Sequence, residues 1–153
     1  MTIKSSARAR QMIDVTAMRE IKFRGRRKNS TEWAYGAFLA IPKLCSYIYD
    51  VQPDGQATRY LVDEDTVGQF TGLLDSNGKE IYEGDIVKAN LKDKSFVKRF
   101  HMSENVVGKI SFDGAWWLGE WDALWRLPRY YDLTVIGNIH DNPNLLEADD
   151  ARD

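Results

Sequence analysis

Apolar side chains recur at every second position over much of the chain. Ile21 and Phe23 alternate with basic residues, and after a polar turn the alternation resumes over 33–41. A period of two is typical of a β-strand that has one face in a core. The pattern predicts an antiparallel hairpin over 20–41 that ends before Pro42. The apolar face of its second strand consists of Trp33, Tyr35, Ala37, Leu39 and Ile41.

Turn-forming residues divide the remaining chain into further short strands. Pro53-Asp54-Gly55, Asp75-Ser76-Asn77-Gly78 and Asp113-Gly114 combine residues that preset or tolerate turn dihedral angles. Gly68 and Gly72 alternate within one strand and predict a close backbone approach or a β-bulge. Strands are predicted at 47–51, 59–62, 86–89, 106–112, 115–118 and 132–139. The sequence therefore predicts a mainly β fold, either a small barrel or a strongly twisted antiparallel sheet with a few short helices.

Two short segments have helical spacing instead. Trp121, Leu124 and Trp125 fall on one face of a predicted helix that ends at Pro128. Asn142-Pro143 has the order of an N-cap followed by proline at the first helical position, and predicts a final helical turn. The polar residues 91–105 predict an exposed excursion between strands.

Charge is distributed unevenly along the chain. Residues 1–30 carry nine Lys and Arg against two acidic residues, whereas residues 31–153 carry 12 against 21. A basic arm on an acidic body can contact phosphates. The preferred interpretation is that the basic stretch lies on an acidic surface of its own domain or of a second copy, because the acidic body repels nucleic acid.

The chain divides into an N-terminal extension, a body and a tail. Residues 1–17 lack the apolar run of a signal peptide but are rich in arginine, as a transit peptide is; helical spacing within 7–20 also fits a short helix. We expect 1–17 to be a mobile or partner-packed appendage, 18–147 to be the β domain and 148–153 to be an acidic tail. No apolar run is long enough to span a bilayer, which predicts no membrane association.

Five segments of the body resemble the YopX-like family of bacteriophage and prophage proteins. They are 19-REIKFRGRR-27, 32-EWAYG-36, 66-TVGQFTGLLDSNGKEIYEGDIV-87, 107-VGKISFDGAWW-117 and 132-DLTVIGNIHDNPNLLE-147. The resemblance implies a small, mostly β protein of the bacterial cytoplasm that is capable of self-association. It implies no reaction, cofactor or catalytic residue, and the first 17 residues are extra to the family.

Acidic residues are the candidate metal ligands. Carboxylates at Asp63, Glu64 and Asp65, together with Glu83 and Asp85, provide the oxygen donors that hard cations prefer. The spacing of a calcium loop is absent, so a solvated acidic loop is the preferred interpretation of 63–65. For 83–85 we expect a turn in which Asp85 accepts backbone N–H groups.

The remaining reactive side chains form no catalytic set. His140 and Asp141 are adjacent in the sequence, and adjacent residues of an extended chain point in opposite directions. No serine or cysteine lies at a spacing from His140 or Asp141 that indicates a catalytic nucleophile. Cys45, the single cysteine, excludes an internal disulfide and is expected to be a small core residue. We therefore predict no cofactor and no metal site.

Tryptophan is concentrated near the C-terminal third. Trp116 and Trp117 are consecutive on a predicted strand and must face opposite sides, so at least one needs a second core or a surface. Exposed apolar patches usually mark contact sites, whereas a helix over 121–125 would cover the patch. The preferred function is a non-catalytic accessory protein that binds an unknown protein partner and forms homo-oligomers. Its candidate partner-binding residues are Trp116, Trp117, Trp121 and Trp125.

Two other function classes stay open. A nucleic-acid-binding module would combine a basic stripe with stacking aromatic residues, because small β folds can bind strands in that way. Its residues are Lys22, Arg24, Arg26, Arg27 and Lys28, with Trp33 and Tyr35 as the stacking side chains. A metal-dependent enzyme acting on nucleotides or nucleic acid would use Glu83, Asp85 and the 63–65 cluster.

Overall fold

Two antiparallel sheets make up the protein. The computed structural model describes residues 20–120 and 122–150, without the side chains of 148–150. The first sheet has the order β4-β3-β2-β1-β5-β6 and the second the order β10-β9-β8-β7-β11. The first contains β1 (Phe23–Arg26), β2 (Trp33–Ile41), β3 (Cys45–Val51), β4 (Ala57–Val62), β5 (Gly68–Leu74) and β6 (Glu80–Tyr82). The second contains β7 (Asp85–Leu91), β8 (Asn105–Phe112), β9 (Trp116–Leu118), β10 (Asp122–Ala123) and β11 (Tyr131–Asn138).

Short helical segments connect the strands. Helix α1 (Ser95–Phe100) joins β7 to β8, and α2 (Asn144–Asp150) follows β11. Two 3₁₀ turns cover Glu64–Thr66 and Leu127–Arg129. No helix within the described ranges is long and apolar enough to cross a membrane.

The first sheet curls around a small core. The N–H of Asp63 donates to Arg26 O and the N–H of Lys28 donates to Leu61 O, both at 2.9 Å, so the end of β4 returns to the end of β1. The enclosed side chains are Ala34, Ile48 and Val62. Neither sheet closes into a barrel. The prediction of a mainly β fold is confirmed, and the fold consists of two sheets and not of one closed barrel.

The larger core belongs to the second sheet and to β6. Its fully buried members come from five separate parts of the chain, which ties the first sheet to the second. They include Ile81, Val87, Ile110, Leu118 and Leu124.

Gly68 shows the predicted close approach of another backbone, and Gly72 shows the predicted β-bulge. A Cβ at Gly68 would lie 2.4 Å from Glu83 O, so only glycine permits this backbone approach. Gly72 has a φ of +85° and lies where the β5–β6 register shifts between Phe70 and Leu74. The strand bends there, since a bulge increases local twist.

Asp75 anchors the β5–β6 turn to the second sheet. Its Oδ1 accepts from the N–H groups of Asn77 and Lys79 at 2.9 Å, and its Oδ2 accepts from Val135 N–H at 3.0 Å. Burial raises the pKa of Asp75, but these three donors outweigh it and leave the pKa below its usual value. One carboxylate therefore holds a tight turn and a strand of the other sheet together.

Three sequence predictions require correction. The alternation over β2 is confirmed, but the face predicted to lie in the core is partly open to solvent: Leu39 is 46% and Ile41 40% exposed. No helix forms over 122–125, the described part of the segment predicted to be helical, because β10 pairs with β9 and a turn follows. The excursion over 91–105 contains the unpredicted helix α1.

The final helical turn is confirmed. Leu145 N–H donates to Asn142 O at 3.1 Å and Leu146 N–H donates to Pro143 O at 3.2 Å. The predictions for residues 1–17 and for Trp121 lie outside the described residues, as do those for the last three residues of the tail.

Candidate functional site

A buried arginine joins the two sheets. The side chain of Arg24, on β1, is only 7% exposed, and its Nη2 lies 2.7 Å from Asp85 Oδ1 at the start of β7. Its guanidinium also contacts the rings of Trp33 and Tyr82, 4.7 and 5.0 Å from their centroids. We call these four residues the arginine cluster. Aromatic faces attract a cation, so the two rings and the Asp85 carboxylate together compensate for the burial of the Arg24 charge.

Asp85 is held between opposing influences. Burial raises its pKa, and Arg24 with the Tyr82 N–H lowers it; the net pKa lies above the usual value for aspartate. The Tyr82 N–H donates to Asp85 Oδ2 at 2.8 Å, as expected from the sequence for a turn at 83–85. Burial and the nearby Glu80 also raise the pKa of the Tyr82 hydroxyl. Asp85 therefore acts as a counter-ion inside the fold.

The rest of the predicted basic stripe is paired with acidic residues of the same chain. Lys22 bridges Glu20 and Glu80, Arg26 pairs with Asp141, Arg27 with Glu32 and Lys28 with Asp63. Arg24 and Arg26 both lie over Trp33, and Tyr35 packs on Tyr82 with ring centroids 5.7 Å apart. These contacts match the interpretation in which the basic stretch lies on its own acidic domain. Nucleic-acid binding stays a prediction that must compete with them.

The candidate metal ligands do not converge in the described part of the chain. No three His, Cys, Asp or Glu side chains there lie close enough to hold a metal ion. A pocket of about 180 Å³ brings Asp65, Glu83 and His140 near Lys109 and Ser111. Burial, followed by the Arg24 and Arg26 cations, lowers the pKa of His140, while Asp141 is engaged by Asn138 and Arg26.

An apolar groove lies between the tip of the β8–β9 hairpin and β5. It measures about 340 Å³ and is lined by Leu73, Phe112, Trp116 and Trp125 together with Thr71, Gly114 and Ala115. Trp125 is 72% and Phe112 54% exposed. Phe112 and Trp116 pack edge to face with centroids 4.9 Å apart. We call this the tryptophan groove.

The four predicted partner-binding tryptophans have separate environments. Trp116 packs against the larger core, whereas the indole N–H of Trp117 donates to Asp113 O at 3.2 Å. Trp125 is the exposed member, and Trp121 lies outside the described residues. Two of the four, Trp116 and Trp125, line the tryptophan groove, and their binding of a partner stays a prediction. Leu73 and Phe112 also line it but were not predicted, since nothing local in the sequence indicates that β5 and the β8–β9 tip are adjacent.

A second apolar surface follows the outer side of β2, β3 and β4. Cross-strand rows place Tyr47 between Leu39 and Leu61, and Ile41 beside Cys45. Leu61 is 41% exposed, and Arg59 lies over the Tyr47 ring at 4.8 Å. Cys45 is half-buried at this surface and belongs to neither core, contrary to expectation. We call it the β2–β4 face.

Comparison with known proteins places the chain in a family. The model of the YopX protein family matches residues 22–147. Among solved structures, the chain is similar to protein EF1440 from Enterococcus faecalis, with a TM-score of 0.53 and 23% identity over 84% of this chain and 99% of that one. At this identity the similarity concerns the fold alone. No curated protein matches. The match over most of its length shows that the chain belongs to the YopX protein family.

Proposed function

We propose that this protein is a non-catalytic phage or prophage accessory protein that acts in the host cytoplasm by binding protein, with self-association as its basic activity. The observation that carries the proposal is the β2–β4 face, on which three adjacent strands present apolar side chains to solvent. Contiguous exposed apolar surface is uncommon on monomers and usually marks a contact site.

The β2–β4 face continues a surface that is already buried elsewhere in the molecule. On the same side of the first sheet, Arg24 is buried and packs on Tyr82, while its cross-strand neighbour Tyr35 packs on the same ring and stays 44% exposed. Beyond Gly36 the strands leave this cover, and Leu39 and Ile41 face solvent. A second copy would complete the layer that β6 and β7 provide at the other end.

Charge favours a second copy as the occupant. The cross-strand rows of the β2–β4 face contain one formal charge, Arg59, and that cation already stacks on Tyr47. In a two-fold interface each surface meets itself, so like charges oppose one another unless the surface is nearly uncharged. This surface meets that condition on a chain whose body is strongly acidic.

Sedimentation velocity of the full chain across micromolar concentrations tests the proposal. We expect concentration-dependent association in the wild type and a monomer for Leu39→Asp/Leu61→Asp, because burying unpaired carboxylates opposes the contact. Phe100→Asp is the matched control, since Phe100 on α1 is also exposed, at 55%, but lies off this face. A wild-type monomer throughout, or equal association of both variants, would overturn the proposal.

A further inference from the structure

The tryptophan groove has a candidate occupant within the same chain. We propose that residues 8–17 dock in this groove, with Met12 and Ile13 against Trp125 and Phe112. The inference extends the proposed protein-binding role by naming what the groove holds, and it uses a different surface from the β2–β4 face. It follows from the chemistry of the groove, the position of Glu20 and the charge of the two partners.

The lining of the groove suits an apolar occupant. Its aromatic walls, Trp125 and Phe112, are 72% and 54% exposed, while Leu73 and Trp116 on its inner side pack against the larger core. Burial of such side chains is favourable by roughly 25 cal/mol for each Å² removed from water. A segment that supplies one or two aliphatic side chains would therefore gain by entering it.

The described chain begins beside the groove. The Phe70 N–H donates to Lys22 O at 2.8 Å, and Lys22 Nζ lies 3.2 Å from Glu20 Oε1. Lys22 also bonds to Glu80, which is the partner of Leu74 across β5 and β6. Glu20 is thus tied to the end of β5 that supplies Leu73 to the groove.

The residues between Ile13 and Glu20 form a tether that is long enough for the segment to reach the groove of its own chain. Ile13 lies seven positions before Glu20, and a chain spans up to ~3.5 Å for each extended residue, or ~24 Å here. A short tether gives the segment that it carries an effective concentration in the millimolar range near the site. Even a weak apolar contact would then be populated, and more so than the same contact from a second copy.

The residue pattern and the charge of 8–17 also suit the tryptophan groove. In 8-RARQMIDVTA-17 the apolar residues recur at three- and four-residue steps, and Arg8 and Arg10 are balanced only by Asp14. Asp113 adjoins Phe112 at the tip of the β8–β9 hairpin and makes no ion pair with any residue that the structure describes. An amphipathic basic segment therefore suits a groove that is apolar inside and acidic at its tip. Docked there, it would compete with any other protein for the groove.

Fluorine NMR of the full chain labelled with 5-fluorotryptophan tests this inference. The Trp125 resonance is identified by its loss in Trp125→Phe. We expect Met12→Asp/Ile13→Asp to move this resonance toward its unfolded position, because the indole loses its cover. Ile3→Asp is the matched control: it places the same charge in the same N-terminal extension, outside the docking segment, and should leave Trp125 unchanged.

Two outcomes would overturn the inference. If neither variant moves the Trp125 resonance, the segment does not cover the groove. If the Trp125 resonance of the wild type moves toward its unfolded position when the sample is diluted, the contact is between copies and not within one chain. Sedimentation of the same samples keeps the proposals separate, because association through the β2–β4 face should be unchanged by Met12→Asp/Ile13→Asp.

Discussion

The arginine cluster and the β2–β4 face lie on the same side of the first sheet, but the first is buried and the second is exposed to solvent. At β1 that side is closed by Tyr82 and Asp85, and Arg24 is almost completely buried. Along the second half of β2 it is open, and Leu39 is nearly half exposed. A charged residue is thus inside and an apolar residue outside on one continuous surface. Local side-chain polarity did not decide burial here; the position of the second sheet did.

The largest expected effect comes from breaking the covered region. Arg24→Ala leaves Asp85 buried without its cation, which typically costs about 3–5 kcal/mol of unfolding free energy. Urea denaturation followed by circular dichroism measures it. Arg24→Met/Asp85→Leu removes both charges and should recover most of the loss. An exposed ion pair contributes about 0–1 kcal/mol. If the unfolding free energy of Arg24→Ala lies within about 1 kcal/mol of the wild-type value, the arginine cluster does not contribute to stability as a buried pair would.

Substitutions on the two sides of the curled sheet sharpen the comparison. Ile48 is fully buried in the small core, so Ile48→Ala should cost about 2–5 kcal/mol. Leu39→Ala, on the β2–β4 face, should cost about 1 kcal/mol or less, because much of that side chain already contacts water. Equal losses in thermal or urea unfolding, measured at a concentration where the chain is monomeric, would contradict the uncovered state of the face.

A smaller effect should follow from Asp75, whose carboxylate links the sheets. Asp75→Ala removes an acceptor for three backbone N–H groups and should cost about 1–3 kcal/mol. The pKa of Asp75 is lower folded than unfolded. Its contribution is therefore present above the unfolded pKa and is lost as pH falls through the folded pKa. The acid limb of stability against pH should be shallower in the variant; identical limbs would refute the link.

The smallest effect is expected at the exposed end of the basic stripe. Arg27 pairs with Glu32 at the surface, and such pairs contribute about 0–1 kcal/mol. Arg27→Ala should therefore hardly change stability. The same variant addresses the nucleic-acid alternative: mobility shifts at low and high salt should show no salt-dependent binding by the wild type. Binding that weakens with salt and with Arg27→Ala would instead support that alternative.

Part of the candidate sites could be anticipated from sequence and part could not. The tryptophans stood out by number, and Trp125 is indeed exposed. Leu73 could not be linked to them, because it meets Phe112 and Trp116 only through a contact between different sheets. Likewise Arg24 and Asp85 are 61 residues apart, and no local pattern pairs a cation with a distant carboxylate.

The sequence by itself determined most of the strands, their turns and the side of the sheet to which the side chains of those strands point. The reason is local: alternate residues of an extended chain face opposite ways, and residues such as Gly72 or Asp75-Ser76-Asn77-Gly78 bend it wherever they occur. Only the tertiary structure decided which of those sides is covered. Coverage depends on long-range pairing, such as the return of β4 to β1 and the packing of Tyr82 on Arg24, and these contacts join residues that carry no mutual signal along the chain.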